Sequence, residues 1–290
     1  MAEALAAEAA SFVRCRRAEV FSARAGAAGG GVVRAKSTPT DPVTVVDTET
    51  EQLLRDRLAQ LRPGDPILGE EGGGPADAAD LEALEAIAAG AVTWVLDPID
   101  GTVNFVYGIP AYAVSVAARV NGVSVAGAVA DVVAGRVYSA ATGRGAHVTD
   151  EQGTHVLRCT GVDDLSMALL GTGFGYSKRR RTTQAALLAK LLPVVRDVRR
   201  IGSAALDLCM VAAGRLDAYY EHGLQEWDCA AGALIAAEAG ARVLLVAQNG
   251  PVDAAEGAEY AGLVVAAAPG IADELLAALE RFNGLAPIPH

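Results

Sequence analysis

Three acidic clusters in the 290-residue chain have the residue types and spacing for chemistry: Glu70-Glu71, Asp97-Pro98-Ile99-Asp100-Gly101-Thr102 and Trp227-Asp228. Each falls where a predicted strand ends or a helix begins, the places at which α/β folds gather side chains around a shared cleft. Pro98 fixes φ directly after Asp97, and Gly101 frees the backbone after Asp100. Both carboxylates can then lie on one side of a tight turn, with the Ile99 carbonyl between them. Oxygen ligands unaccompanied by His or Cys suit a hard divalent cation, Mg²⁺ rather than Zn²⁺. Singly, each cluster also has an ordinary reading: a solvated pair of glutamates, an Asp-Gly turn, and an Asp228 that caps the helix after it. Jointly they would repel one another in one cleft unless cations neutralised them.

The elements that must position these residues alternate between helix and strand along the whole chain, which predicts layered α/β or α+β architecture. A first helix is predicted over residues 2 to 24, ending at a loop over Gly26 to Gly31. A second is predicted from Asp41 and Pro42, an N-cap type followed by proline at the first helical position. Val46, Leu53, Leu54, Leu58 and Leu61 give it one apolar stripe, and Pro63-Gly64 stops it. Pro66 to Leu68 reads as a short strand leading into Glu70-Glu71, and Val92 to Leu96 as a buried strand ending at Asp97. Ala113 to Val120, Val123 to Asp131 and Arg136 to Ala140 form an antiparallel meander, with Asn121-Gly122 as the hairpin turn. Beyond Ser166, strands at 168–170, 217–220, 242–246 and 263–267 alternate with helices at 183–192, 203–213, 228–239 and 271–282. A boundary near residue 158 separates an N-terminal α+β lobe, 1–158, from a C-terminal α/β lobe, 159–290, that completes the site.

Composition narrows the function classes. Hydrophobic residues make up 52% and charged residues 20%, outside the range in which chains stay disordered. With 24 Lys and Arg against 35 Asp and Glu, the net charge is −11, which argues against a phosphate-backbone binder and direct nucleic-acid contact. Charges at Glu3, Glu8, Arg14, Arg16, Arg17 and Glu19 interrupt the apolar run a signal peptide needs, and nothing reaches the roughly 18 apolar residues of a membrane span. Cys15, Cys159, Cys209 and Cys229 show no metal or disulfide spacing. A cytoplasmic protein is expected.

Gly69-Glu70-Glu71, the run Trp94-Val95-Leu96-Asp97-Pro98-Ile99-Asp100-Gly101-Thr102-Val103-Asn104-Phe105, and Glu226-Trp227-Asp228-Cys229-Ala230-Ala231-Gly232 resemble the three signatures of the inositol monophosphatase family. Further similarity covers Lys36 to Asp47, Gly108-Ile109-Pro110, Gly171-Thr172-Gly173-Phe174, Ile201 to Ala205 and Asp217 to Glu221, and is closest to the bacterial SuhB-type members. The resemblance implies the layered α-β-α-β-α sandwich of the sugar phosphatases, an α+β fold, and usually a homodimer. It also implies a phosphomonoesterase dependent on two or three Mg²⁺ ions per active site, acting on myo-inositol 1-phosphate and related polyol or sugar monophosphates. By the same resemblance, Glu70, Asp97, the Ile99 carbonyl, Asp100 and Asp228 would hold metal. Asp47 and Thr102 would orient the attacking water, with Glu71 supporting the ligands. The N–H groups of Gly101 and Thr102 would hold the phosphate. Gly202, Ser203, Ala204, Glu221 and Asp228 would meet the inositol ring and its hydroxyls.

No covalent nucleophile is needed, and no GxSxG elbow occurs among the serines. Other phosphatase activities of the same fold, on fructose 1,6-bisphosphate, nucleotide phosphates or histidinol phosphate, share these metal motifs. Glu221 favours inositol, since a carboxylate can accept hydrogen bonds from two ring hydroxyls and repels a second phosphate at that spot. A different class is a regulatory protein that joins the transcription machinery through a protein partner, as some SuhB-type proteins do. Lys178-Arg179-Arg180-Arg181 reads either as a solvated loop before a helix or as a second phosphate clamp. His222 reads as structural or as a substrate contact, and Cys229 as a small core residue.

Overall fold

The structure, a computed structural model, describes residues 1–22, 33–36, 42–74, 87, 90–246 and 262–288. Its elements begin with α1 (Ala2–Ser22), β1 (Val33–Ala35), β2 (Pro42–Thr44), α2 (Val45–Leu61), β3 (Ile67–Gly69), β4 (Thr93–Asp100) and α3 (Thr102–Tyr107). The meander follows: β5 (Ala113–Val120), β6 (Val123–Asp131), β7 (Arg136–Ala141), β8 (Ala146–Asp150) and β9 (Gly153–Val156). The chain continues through β10 (Leu169–Thr172), α4 (Lys178–Leu191), β11 (Asp197–Arg199), α5 (Ala204–Ala212) and β12 (Ala218–Leu224). It closes with α6 (Glu226–Glu238), β13 (Arg242–Val246), β14 (Gly262–Ala267) and α7 (Ala272–Arg281).

Two sheets carry the molecule. Strands β3 to β9 form a seven-stranded sheet in sequence order, antiparallel except for the parallel β3–β4 pair. The second sheet has the order β11-β10-β12-β14-β13, and β1 pairs with β2 as a separate ribbon. Asn121 (φ 50°) and Gly122 (φ 76°) both sit in the left-handed region, as a two-residue hairpin turn between β5 and β6 requires.

Alternating side chains on each strand feed different cores, and this produces the layers. Trp94 and Leu96 face one side of the seven-stranded sheet, against Ala6 and Val13 of α1 and Leu54 and Leu58 of α2. Val95, Ala117 and Val129 face the other side, against Leu206 and Cys209 of α5 and Ala231 and Ile235 of α6. The same two helices bury Leu208, Val211 and Ala236 on Tyr219 and Val264 of the second sheet. Leu187 and Leu191 of α4 and Leu275 and Leu279 of α7 cover that sheet's far face. The result is an α-β-α-β-α sandwich. Each fully buried Leu or Val contributes about 1.5–3 kcal/mol, so two cores hold the middle helices between the sheets and two more cover the sheets' outer faces. Gly127 on β6 allows the closest approach: a Cβ there would lie 2.9 Å from Ala231 Cα, so only glycine lets α6 settle on the sheet.

The second helix begins at Val45, not near Asp41. Thr44 is its N-cap: its hydroxyl accepts from Val46 N, and Asp47 accepts from Thr44 N, a reciprocal box stronger than an Asp-Pro start. Pro42 belongs to β2, and Asp41 lies outside the described residues, as do Gly26 to Gly31. The strand predicted from Pro66 runs Ile67–Gly69. Helix α4 starts at Lys178, capped by Ser177, so the basic run is the first turn of a helix and not a loop before it. Strands β8, β9 and β11 are short or exposed and lack the apolar alternation that marks the others. Among the described residues, no helix is long and apolar enough to cross a membrane.

Candidate active site

One carboxylate oxygen from each of Asp97, Asp100 and Asp228 lies within 4.8 Å of the other two. Asp97 and Asp100 come from the end of β4, where the pairing with β5 shifts register between them. Side chains three apart on a regular strand point to opposite faces; the irregularity turns both toward one cleft. Asp97 Oδ1 accepts from Ile99 N at 3.0 Å, which closes the turn. Asp100 Oδ2 accepts from Ser203 Oγ and Ala205 N, each at 2.6 Å, so the N-terminus of α5 fastens it. Asp228 stands in the first turn of α6, its Oδ2 accepting from Gln225 N at 2.6 Å.

Glu70 and Glu71 reach the cleft from the turn after β3. Lys36 Nζ donates to Glu70 Oε1 at 2.8 Å and to Glu71 Oε1 at 2.5 Å. Glu51 of α2, 2% exposed, holds the turn: Glu71 N and Gly72 N each donate to its carboxylate at 2.8 Å. Asp47 is fully buried, and Thr102 Oγ1 lies 3.1 Å from its Oδ1 and 3.0 Å from the Ile99 carbonyl oxygen. Gly101 has φ 94°, and a Cβ there would meet the carbonyl oxygens of Ala111 and Gly202 at 3.0 Å, so glycine is required at this turn. Asn104 ties the same turn down by donating to the carbonyls of Ala111 (2.7 Å) and Ile201 (2.9 Å).

Electrostatically the cleft is strained. Burial, with Glu70, Asp100 and Asp228 beside it, raises the Asp97 carboxyl well above the usual range. Burial, with Asp100, Glu70 and Glu221 beside it, does so for Asp228. Burial lifts Asp100 to about 6, against the hydrogen bonds from Ser203 and Ala205 that hold it down. Asp47 is likewise pushed up to about 6 by burial. Glu70 is raised by burial even with Lys36 against it. Converging carboxylates that resist ionisation, supplied with oxygen donors alone, match the donor set of a hard divalent cation. The residues present fit Mg²⁺.

Glu221 of β12 stands at the side of the cleft. Tyr219 Oη donates to its Oε2 at 2.6 Å, and burial raises its carboxyl to about 7. A Cβ on Gly173 would lie 1.8 Å from Glu221 Oε2, so the Gly171-Thr172-Gly173-Phe174 stretch makes room for that carboxylate. Ser203 is the N-cap of α5, and Ala204 its buried first residue. The structure thus brings Asp47, Glu70, Glu71, Asp97, Ile99, Asp100, Gly101, Thr102, Gly202, Ser203, Glu221 and Asp228 around one cleft. His222 turns away from it, buried with Nε2 2.7 Å from the Gly284 carbonyl oxygen. Cys229 is buried, its thiol pushed up by burial. Lys36, Glu51, Asn104 and Tyr219 escaped the sequence reading as site residues. Lys36, Glu51 and Asn104 act on neighbours distant in sequence, for which a single chain carries no local signal; Tyr219 lies two residues before the Glu221 it holds, but nothing in the sequence shows both side chains turned to one site.

Residues 1–284 match the sequence profile of the inositol monophosphatase family. The chain belongs to that family. It is 80% identical over 288 residues to the inositol-1-monophosphatase of Mycobacterium leprae, covering 99% of this chain and 95% of the relative. The solved structure of Mycobacterium tuberculosis SuhB superposes with a TM-score of 0.77 at 68% identity, covering 98% of this chain and 96% of that one. A Nus factor SuhB from Pasteurella multocida is 40% identical over 244 residues, 83% of each chain. The motifs read from the sequence are therefore family signatures, and the cleft they line is where the family's chemistry is to be sought.

Proposed function

We propose that this inositol monophosphatase family member is a Mg²⁺-dependent phosphomonoesterase that hydrolyses myo-inositol 1-phosphate and related polyol or sugar monophosphates. The observation that carries the reading is the convergence of Asp97, Asp100 and Asp228 within 4.8 Å. The 80% identity to an inositol-1-monophosphatase supports it. Glu70, Asp97, the Ile99 carbonyl, Asp100 and Asp228 would hold the ions, with Glu71 and Lys36 setting the charge around Glu70. Bound there, divalent cations supply Lewis acidity and lower the pKa of water.

The chain's own residues position the reactants. The Thr102 hydroxyl has one hydrogen to donate, and its hydrogen bond goes to Asp47 or the Ile99 carbonyl. Its oxygen is then left to accept a hydrogen bond from the attacking water and so aim that water. Asp47, lifted to about 6, is matched to receiving a proton near neutral pH. The N–H groups of Gly101 and Thr102 face the phosphate oxygens, and neither needs a proton transfer to do so. Glu221, with Gly202, Ser203, Ala204 and Asp228, reads the ring hydroxyls. The Tyr219 hydroxyl fixes one Glu221 oxygen and leaves the other for substrate.

A homodimer in the cytoplasm completes this reading. A non-catalytic role with a protein partner of the transcription machinery, suggested by the name of the 40% identical relative, is the second reading; the intact carboxylate set favours the enzyme. The test is phosphate release across a panel of inositol, sugar, nucleotide and histidinol phosphates, with Mg²⁺ and with EDTA. Fastest turnover of myo-inositol 1-phosphate, abolished by EDTA, is expected. Equal turnover of all substrates, or turnover that survives EDTA, contradicts the proposal.

A further inference from the structure

Helix α4 buries a stripe of Arg180, Gln184, Leu187 and Leu191. Its last two members are apolar and its first two are not. Gln184, 3% exposed, accepts from Gly175 N at 3.0 Å and donates through Nε2 to the His222 carbonyl oxygen at 3.2 Å. β10 pairs with β12 as far as Thr172 and Tyr220; beyond that pair, residues 173–175 leave one strand as a loop while Glu221 and His222 continue the other. The Gln184 amide links the two segments past the end of their ladder. Gly173 of that loop packs against Glu221 Oε2, the same oxygen that accepts from Tyr219. One turn earlier on α4, Arg180 lies against the same segments: a Cβ on Gly175 would come within 2.7 Å of its Cδ, and one on Gly223 would run into its guanidinium. Burial disfavours the Arg180 charge and Glu221 supports it, while Arg180 in turn lowers the Glu221 carboxyl. Burying an amide and a guanidinium costs free energy that Leu187 and Leu191 do not incur, and what the two polar members add is a tie that packing alone does not supply.

We infer that Gln184 is a positioning residue for substrate recognition: it ties the 173–175 loop to β12 and thereby aims the Glu221 oxygen that Tyr219 leaves for a ring hydroxyl. Arg180 braces the same loop from the preceding turn. The inference deepens the proposed function and rests on its reading of Glu221 as the acceptor for ring hydroxyls. Both Gln184 bonds go to backbone beside Gly173 and Glu221, so its effect reaches substrate through the angle of that carboxylate. Loss of the tie frees the loop on which Glu221 Oε2 rests, while Asp97, Asp100 and Asp228, held from β4, α5 and α6, keep their places. Recognition of a ring suffers, and hydrolysis of a small ester does not. The basic run Lys178 to Arg181 thus lends the site one residue, Arg180, by the turn of the helix that buries it.

The test measures kcat/KM for myo-inositol 1-phosphate and for glycerol 2-phosphate, which lacks the ring, in wild type, Gln184→Met, Gln184→Glu, Glu221→Gln and the double variant Gln184→Met with Glu221→Gln. The ratio of the two values does not depend on the fraction of enzyme that folds. Gln184→Met keeps the length and loses both bonds. It should lower kcat/KM for myo-inositol 1-phosphate by about fivefold to tenfold, mainly through KM, and change glycerol 2-phosphate by less than about twofold. Gln184→Glu, which keeps an acceptor for Gly175 N, should fall between wild type and Gln184→Met. In the Glu221→Gln background Gln184→Met should change neither substrate by more than about twofold, because the carboxylate it aims is gone. Equal losses on both substrates, no loss on either, or a selective loss that persists in full without Glu221 overturns the role. A Glu221→Gln variant that loses both substrates equally would instead sink the reading of Glu221 on which the role rests. No release from either ester by wild type would sink the phosphomonoesterase reading itself.

Discussion

Replacing Asp100 with Asn should stabilise the metal-free protein at alkaline pH while abolishing its activity. Unfolded, Asp100 ionises near 3.8; folded, its carboxyl is lifted to about 6. Between those values the unfolded chain gives up its proton first, so stability falls as pH rises, and above about 6 the full penalty is present. A gap of about two pH units at about 1.4 kcal/mol each comes to about 3 kcal/mol. Asn keeps the shape and can still accept from Ser203 Oγ and Ala205 N through its carbonyl oxygen, so the fold is preserved. For a chain of this length each kcal/mol moves Tm by about 2 °C, so metal-free Asp100→Asn should melt about 6 °C above metal-free wild type at pH 8. The difference should vanish below about pH 4. Melting curves across pH 4–8 in EDTA, with turnover measured in saturating Mg²⁺, are the assay. A variant less stable than wild type at pH 8, or one retaining near wild-type turnover, would refute the reasoning.

Three further outcomes follow from the same geometry. Thr102→Val, which removes the hydroxyl between Asp47 and the Ile99 carbonyl, should lower kcat by about 10²-fold or more with KM little changed; Thr102→Ser should restore most of it, and steady-state kinetics on both variants would decide. Glu221→Gln should harm myo-inositol 1-phosphate turnover more than that of glycerol 2-phosphate, whereas equal losses would place Glu221 among the catalytic groups. Ca²⁺ should raise the Tm of stripped protein as Mg²⁺ does, since a hundredfold excess over Kd is worth about 2.7 kcal/mol per site, yet support no turnover because its looser shell misplaces the water; turnover with Ca²⁺ would count against that positioning.

The metal-binding candidates were legible because their signals are local. Pro98 and Gly101 shape the Asp97 to Thr102 turn, and Asn121-Gly122 specifies its hairpin, each within a few residues. The layered fold was legible from alternating periodicities, most clearly in β4 to β6, where burial on both faces demands apolar runs. The start of α2 was misplaced because Asp41-Pro42 and Thr44 are both plausible caps; the choice rests on Asp47 reaching back to Thr44, a reciprocal bond that composition does not reveal. Glu51 and Asn104 hold the site from 20 and 97 residues away. Such partners depend on how the sheets stack, and nothing in their own neighbourhoods marks them. Lys178 to Arg181 reads as one charge run, yet its helical start buries Arg180 and exposes its neighbours.

Titration of Mg²⁺ into stripped protein by calorimetry, on wild type and on Asp97→Asn, tests the central claim most directly. Asp97 is buried and meets Asp100 and Asp228 at one point, so the account predicts saturable binding to wild type at more than one ion per chain. Loss of that binding in Asp97→Asn, with the fold intact by circular dichroism, is the accompanying result. Wild-type affinity and stoichiometry retained in Asp97→Asn would contradict it and place the metal, and with it the chemistry, elsewhere.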